Sequence, residues 1–357
     1  AQLNQFLTKS RYIRHFMDKK IKAAISGYYG FDNFGDEAIL SSLVSELKKN
    51  DIDITVFSKN PPKTSENLGV MSVNTFDIKK ILEVLKNTDV LISGGGSLLQ
   101  DATSLKSLLY YLFVISAALH YKKRVIIFAQ GIGPIKNLFG RLLTKSVLKK
   151  CTYITVRDEK SLFRVRGWGA KADLVNDPVW GMPLYPAIPM GRVGIQLRDW
   201  KSLSGKYLFT LARQVAMNFS DKEIYIYSFQ DALDLEICKK FEGNLKLANP
   251  AIKTKIISGL SIDGVLKSFS NLDYLIGMRY HACLLALKYG IKTLALSYDE
   301  KVEKLAKRFE IPCSNLNDTQ CLEEKIDKLK KLDPKELKTK ADAVIFDFSG
   351  TLKAIKS

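Results

Sequence analysis

Several loops of this chain put residues capable of chemistry directly after strand-like apolar runs. The most informative is Ile276-Gly277-Met278-Arg279-Tyr280-His281-Ala282. The chain holds three histidines, His15, His120 and His281. His15 falls in a basic leader and His120 ends an apolar helical run, and both positions suit surface or packing roles. His281 follows a strand and opens a helix, two residues after Arg279. The helix amino end and the guanidinium both disfavour imidazolium, so a neutral ring is expected. Such a ring can take a proton from a hydroxyl and later return one to a departing oxygen. Arg279 and the helix N–H groups would hold an anion beside it.

Other loops repeat the arrangement. Gly27-Tyr28-Tyr29-Gly30-Phe31-Asp32-Asn33-Phe34-Gly35-Asp36-Glu37 carries three glycines between a strand and a helix, which lets a ligand approach the backbone. Asp36 and Glu37 already satisfy the positive end of that helix, so a sugar hydroxyl suits this loop better than a bare phosphate. In Ser93-Gly94-Gly95-Gly96-Ser97-Leu98-Leu99-Gln100-Asp101 the glycine run is expected to leave backbone N–H groups open to an anion. Gln130-Gly131-Ile132-Gly133-Pro134 is a third loop of this type. Arg157, after the strand-like Tyr153–Val156, could bind a phosphate or carboxylate bidentately, with a local ion pair to Asp158 or Glu159 as the plainer reading. Asn176-Asp177-Pro178 offers a carboxylate, although such a triplet more often marks a turn. Ser297-Tyr298-Asp299-Glu300-Lys301 ends the set, with Tyr298 and Lys301 within reach of the same cleft.

The elements that position these loops alternate along the chain. Strand-like runs at Ile21–Ser26, Asp53–Phe57, Asp89–Ser93, Val125–Gln130, Tyr153–Val156 and Ala172–Val175 are separated by helical patterns, notably Ser104–Tyr121 and Phe139–Lys149. This is the pattern of parallel βαβ units. Pro178, Pro183, Pro186 and Pro189 then interrupt it. It resumes with strands at Arg192–Leu197, Glu223–Tyr227, Lys255–Ile257, Tyr274–Ile276 and Thr293–Leu296. The expected organisation is a leader over 1–20, an α/β domain over 21–180, a Pro-rich linker over 181–190, a second α/β domain over 191–335 and a helical tail over 336–357. Two open parallel sheets of this kind imply a cleft lined by the loops at the strands' carboxyl ends.

Composition sets outer limits. The 357 residues are 46% hydrophobic and 26% charged, enough for two packed cores. A net charge of +18 favours an anionic partner: nucleic acid, an anionic lipid surface or a phosphorylated substrate. The basic residues are scattered without a nucleic-acid motif, which argues against the first. Five cysteines, with no CxxC and no zinc-like spacing, read as reduced thiols in a cytosolic protein without a structural metal. The longest apolar run, Leu108–Leu119, is too short to span a bilayer. The leader mixes apolar and charged positions as one amphipathic helix would; packing on the body is its plainest role, and oligomerisation or membrane contact are the others.

In order along the chain, Gly30–Glu37, Gly94–Gly96 with Gln100-Asp101, Gln130–Pro134, Arg157-Asp158, Arg279-Tyr280-His281 and Ser297-Tyr298-Asp299 resemble the polysaccharide pyruvyl transferase family, most closely its CsaB branch. The resemblance covers roughly residues 21–310. It implies two Rossmann-like domains in a GT-B-like arrangement, phosphoenolpyruvate as donor, and a lipid-linked or polysaccharide sugar as acceptor. In the CsaB branch that sugar is the N-acetylmannosamine of a lipid-diphosphate-linked disaccharide, ketalised at its 4- and 6-hydroxyls. No cofactor or metal is implied. Arg279 and His281 match the family's Arg-x-His motif, which implies that Arg279 holds the donor and His281 moves protons. The intervening residue is Tyr280 where the family commonly has Leu. Arg157 and Lys301 are further donor ligands on this reading. Gly94, Gly95, Gly96, Gln100, Asp101, Asn33, Asp36, Gln130 and Tyr298 complete the expected substrate site. A cytoplasmic enzyme that touches an anionic inner leaflet fits the charge. The alternative is a glycosyltransferase of the same architecture that uses a nucleotide sugar.

Overall fold

The computed structural model describes residues 20–102 and 104–357. The leader before Lys20, His15 included, lies outside the described residues. The chain divides into two compact units, one formed by residues up to Gly30 with Leu43–Val175 and Phe348–Ser357, the other by Phe31–Ser42 with Asn176–Asp347.

The first unit is built on seven parallel strands, β1 (Lys22–Ser26), β2 (Asp53–Ser58), β3 (Met71–Asn74), β4 (Val90–Ser93), β5 (Arg124–Gln130), β6 (Tyr153–Val156) and β7 (Asp173–Leu174), in the order β3-β2-β1-β4-β5-β6-β7. The order reverses between β1 and β4, and loops after those strands flank the switch point where such sheets bind ligands. Strands β1, β4 and β5 read as continuous apolar runs because both faces are covered; Ala24, Ile25, Leu91, Ile92, Ile126 and Ile127 are fully buried. Helix α1 (Phe34–Lys49) follows β1, and α2 (Pro61–Leu68), α3 (Ile78–Asn87), α4 (Leu105–His120), α5 (Leu138–Leu148) and α6 (Glu159–Gly167) connect the rest.

One irregularity shapes the loop after β5. Ile127 faces Ile154, but the next pairing is Gln130 with Val156, so β5 carries one extra residue. Ala129 takes up the extra length at φ +45°, a left-handed conformation that non-glycine residues seldom adopt. Thr155 repairs the ladder: its hydroxyl accepts the Ala129 N–H at 2.8 Å and donates to the Ile127 carbonyl at 3.2 Å.

The second unit repeats the design with six parallel strands, β8 (Arg192–Gln196), β9 (Glu223–Tyr227), β10 (Lys253–Ile257), β11 (Leu272–Gly277), β12 (Lys292–Ser297) and β13 (Cys313–Asn315), ordered β10-β9-β8-β11-β12-β13. Its switch point lies between β8 and β11. Helices α7 (Gly205–Asn218), α8 (Asp231–Ala248), α9 (Ile262–Phe269), α10 (Tyr280–Tyr289), α11 (Glu300–Phe309), α12 (Leu322–Lys331) and α13 (Pro334–Asp342) complete it. The proline-rich stretch is part of this unit. It opens with a 3-10 turn, Pro178–Gly181, whose Trp180 stacks on Phe309 with ring centres 5.4 Å apart. Farther on, Ile188 and Met190 donate their N–H groups to the Ser270 and Asn271 carbonyls.

In the tail α13 ends at Asp342 and a separate helix α14 (Ser349–Lys356) packs on the first sheet, led by Phe348 against Phe128 with ring centres 5.9 Å apart. The edge strands β3 and β13 were not anticipated.

The bulge yields a test. Thr155→Val keeps the shape of the side chain but leaves the buried Ala129 N–H without its acceptor, which is expected to lower stability by about 1–3 kcal/mol in urea denaturation.

Candidate active site

His281 is the second residue of α10, just past the carboxyl end of β11. Its Nε2 lies 3.2 Å from Oδ2 of Asp177, a carboxylate with no surface open to solvent, while the imidazole keeps 14% of its surface exposed. A carboxylate can only accept, so a neutral His281 presents Nε2–H to Asp177 and carries its lone pair on Nδ1. That nitrogen faces the start of α1: a Cβ at Gly35 would stand 2.2 Å from it. Glycine at position 35 is therefore a steric requirement of the imidazole's placement. A buried carboxylate paired with an oriented imidazole is an arrangement able to move a proton.

Asp177 is fixed from several sides. Its Oδ1 accepts the Val179 N–H at 3.1 Å, so the turn reading of Asn176-Asp177-Pro178 and the carboxylate reading both hold. Ser42 of α1 donates to the Pro178 carbonyl at 2.9 Å. Lys288 of α10 reaches the Val179 and Met182 carbonyls, and burial pushes its ammonium down to about 8.

Arg279 is placed as expected but is engaged differently. Its Nε and Nη2 donate to Asp234 Oδ2 and Oδ1 at 2.8 and 2.6 Å, a bidentate pair with Arg279 8% exposed and Asp234 fully buried. The same carboxylate accepts the Phe229 and Gln230 N–H groups at 3.1 Å each. From the end of β8, Gln196 takes the Arg279 N–H on Oε1 at 2.7 Å and the Met278 N–H on its carbonyl at 2.9 Å. Only Nη1 of the guanidinium has no protein acceptor among the described residues. Arg279 thus fixes the turn that carries His281.

A second guanidinium, unnoticed in the sequence, stands in the same loop set. Arg198 follows β8, its carbon 4.9 Å from the Trp200 ring centre and 5.6 Å from that of Tyr298. Nη1 donates to the Tyr298 hydroxyl at 3.4 Å, and Nε is buried with no partner among the described residues. Burial raises the Tyr298 phenol above its usual value, with Arg198 and Arg279 among the charges acting on it. Lys301, half-buried, begins α11, where Asp299 accepts its N–H and that of Val302 at 3.0 and 3.1 Å. Asn33 works locally too, accepting the Gly35 N–H at 3.2 Å; Asp36 is half-buried in the first turn of α1.

The first unit gathers its own loops. A Cβ at Gly94 would fall 1.8 Å from the Tyr29 hydroxyl oxygen, and one at Gly27 2.3 Å from the Tyr29 ring, so a tyrosine fills the space these glycines leave. The Gly94 N–H bonds the Ser26 carbonyl at 2.7 Å, so the open donor expected there is taken. Gly95 is buried, and Gly96, at φ +93°, bridges to Gln130. Gln130 is fully buried, its amide nitrogen directed at Ser93 O, Ser93 Oγ and Gly94 O within 3.0 Å. Asp101 accepts the Lys136 and Asn137 N–H groups at 2.9 and 2.7 Å, bonds that hold its carboxyl below the usual carboxylate range. At Gly94, Gln130 and Asp101, then, the observed bonds build the loops. Arg157 reaches Ser97 Oγ at 3.3 Å, and Gln100 stays half-buried in the glycine loop. Among the described residues no three His, Cys, Asp or Glu side chains gather as a metal site.

Two doubly wound parallel sheets with catalytic-type side chains beyond their strand ends define a two-domain α/β enzyme of GT-B-like fold. Solved structures similar in fold include the UDP-GlcNAc 2-epimerase of Neisseria meningitidis bound to UDP-GlcNAc, at TM-score 0.65 and 10% identity over 95% of this chain and 100% of that one. Anabaena HepE in complex with UDP-glucose aligns at 0.64 and 11% over 94% and 98%, and a glycosyltransferase of Rickettsia africae at 0.61 and 13% over 95% and 98%. No curated protein matches the chain. The family model of polysaccharide pyruvyl transferase matches residues 33–300, and the chain belongs to that family.

Two measurements follow. Arg279→Met strands the buried Asp234 carboxylate and is expected to cost about 3–5 kcal/mol in denaturant unfolding. Nitrogen NMR of the histidines is expected to show neutral His281 as the Nε2–H tautomer, and Asp177→Asn to erode that preference; an Nδ1–H majority in the wild type refutes the assignment.

Proposed function

We propose that the chain forms a pyruvate ketal on a sugar, with phosphoenolpyruvate as donor. Its membership of the polysaccharide pyruvyl transferase family makes it a transferase of polysaccharide biosynthesis. The observation that carries the finer reading is the His281–Asp177 pair with Nδ1 turned towards Gly35. Ketal formation needs one proton delivered to the donor's methylene carbon, two hydroxyls added to the carbon beside it, and phosphate released. The two hydroxyls lose two protons: one ends on the new methyl group, the other on phosphate. His281 serves as the shuttle, taking a hydroxyl proton on Nδ1 while Asp177 steadies the imidazolium.

The donor carries a carboxylate and a phosphate, so cations must orient it. Arg198 is the guanidinium best suited, held by two aromatic rings with Nε unsatisfied. Arg157, Lys301 and the remaining nitrogen of Arg279 are further ligands on this reading. The acceptor is an N-acetylmannosamine-type sugar on a lipid diphosphate, met at the cytoplasmic face of a membrane. A second reading, nucleotide-sugar glycosyl transfer, draws support from the fold shared with proteins that hold UDP sugars.

Incubation with phosphoenolpyruvate and a lipid-linked disaccharide separates the two. Acceptor-dependent phosphate release, with the mass of a ketal-bound pyruvyl group added to the sugar, is the expected result, and nucleotide release from a UDP sugar in its place overturns it. His281→Ala is expected to lower kcat by about 10²–10⁴ with donor affinity largely retained. Gly35→Ala, which displaces the ring, is expected to approach the same loss. Full activity in His281→Ala excludes the shuttle.

A further inference from the structure

The first unit carries a surface that the chemistry above does not use. From Ala102 to Arg157 the sequence has ten Lys or Arg residues and no Asp or Glu. Within that stretch α5 buries Thr144, Val147 and Leu148 but turns Leu138, Phe139 and Leu142 outward, with 59%, 65% and 57% of their surface exposed. Their spacing places them side by side on one flank of the helix. Lys136 and Arg141 are exposed alongside, and Lys145 is half-exposed one turn on.

Three large apolar side chains in a row at the surface of a helix are not explained by folding, because the opposite side of α5 supplies its core contacts. Contiguous exposed apolar patches of this kind mark interaction surfaces. We propose that the amino-terminal half of α5 is an interfacial anchor for a bilayer containing anionic lipid. Leu138, Phe139 and Leu142 would enter the boundary between head groups and acyl chains, and the surrounding cations would meet the anionic head groups. Charge complementarity selects this occupant. A second copy docked on the same face would set cations against cations, and a nucleic acid would engage the cations but give the leucines and phenylalanine nothing to contact. Helix α5 begins just after the Gln130–Ile135 loop, at the carboxyl end of β5, the end of the sheet that carries Gly94–Gly96 and Arg157. On the proposed function that is where a lipid-linked acceptor must arrive, but the anchor is argued from the surface alone.

The test is co-sedimentation of the full chain with vesicles of phosphatidylcholine, with and without phosphatidylglycerol. The wild type is expected to pellet with the mixed vesicles, less so at high salt, and to remain in solution with phosphatidylcholine alone. Leu138→Ser with Leu142→Ser, and separately Arg141→Glu with Lys145→Glu, are each expected to weaken that partition about tenfold or more. Both double variants are expected to keep the wild-type melting profile and the wild-type rate on a water-soluble acceptor. Equal binding to both vesicle types overturns the anchor, as does unchanged binding by both variants. Binding that survives the leucine variant but disappears when residues 1–19 are removed assigns the contact to the leader instead. A dimer in ultracentrifugation that the leucine variant dissolves, with no vesicle binding by the wild type, assigns the face to self-association. Because the readout is sedimentation, it stands or falls separately from the assignment of the reaction.

Discussion

The bidentate pair between Arg279 and Asp234 organises the loops at the strand ends of the second unit. A buried guanidinium and a buried carboxylate tolerate desolvation only when each satisfies the other and the remaining lone pairs find donors. Here they do: Asp234 also takes two backbone N–H groups at the start of α8, while Gln196 ties the main chain of Met278 and Arg279 to the end of β8. Three elements, β8, β11 and α8, thereby share one set of bonds. The imidazole two residues after Arg279 inherits their rigidity. Such preorganisation matters for proton transfer, because an error of an ångström in the base costs far more than a modest change in its intrinsic strength.

Sterics then set the other side of the ring. Only a residue without a Cβ lets the start of α1 lie against Nδ1 of His281, and only Gly27 and Gly94 leave room for the Tyr29 ring. The glycines in these two places answer different needs. Gly35 lets the start of α1 lie against the His281 ring, whereas Gly94 makes way for a tyrosine and gives its N–H to Ser26. A glycine-rich loop at a strand end is therefore weak evidence for an anion site until its N–H groups are traced.

Much of the fold was legible because parallel strands covered on both faces leave long apolar runs; Tyr153–Val156 and Glu223–Tyr227 match their expected bounds residue for residue. The short edge strands β3 and β13 were not, since Met71-Ser72-Val73-Asn74 and Cys313-Ser314-Asn315 carry too few apolar residues for a periodic signal. Helix α2 hides for a related reason: apart from its two prolines and Leu68 its sequence is polar, and only Thr64 is buried. At the site, His281 stood out through its rarity and its place after a strand. Its partner did not, because Asp177 lies more than a hundred residues away and Asp-Pro reads locally as a turn. Arg198 and Asp234 gave no signal at all. Each sits in a chain segment ordinary in composition, and its meaning comes from non-local contacts.

The distribution of positive charge within the molecule carries the last consequence. An excess of +18 could be taken as a measure of how strongly the site attracts anions. Locally that inference fails. Arg279 is neutralised by Asp234 at contact distance, and a guanidinium so paired contributes little net field to its surroundings. On the proposed function the cation best placed to respond to a ligand is Arg198, flanked by Trp200 and Tyr298 and short of one acceptor among the described residues. A ring-stacked guanidinium is weakly hydrated, so it gives up little solvation when an anion arrives and exchanges few water contacts for strong ones. On the proposed function, affinity for a small dianion then arises from a few positioned groups. The bulk of the excess, including the acid-free run from Ala102 to Arg157, acts over the longer range on which charged surfaces attract one another.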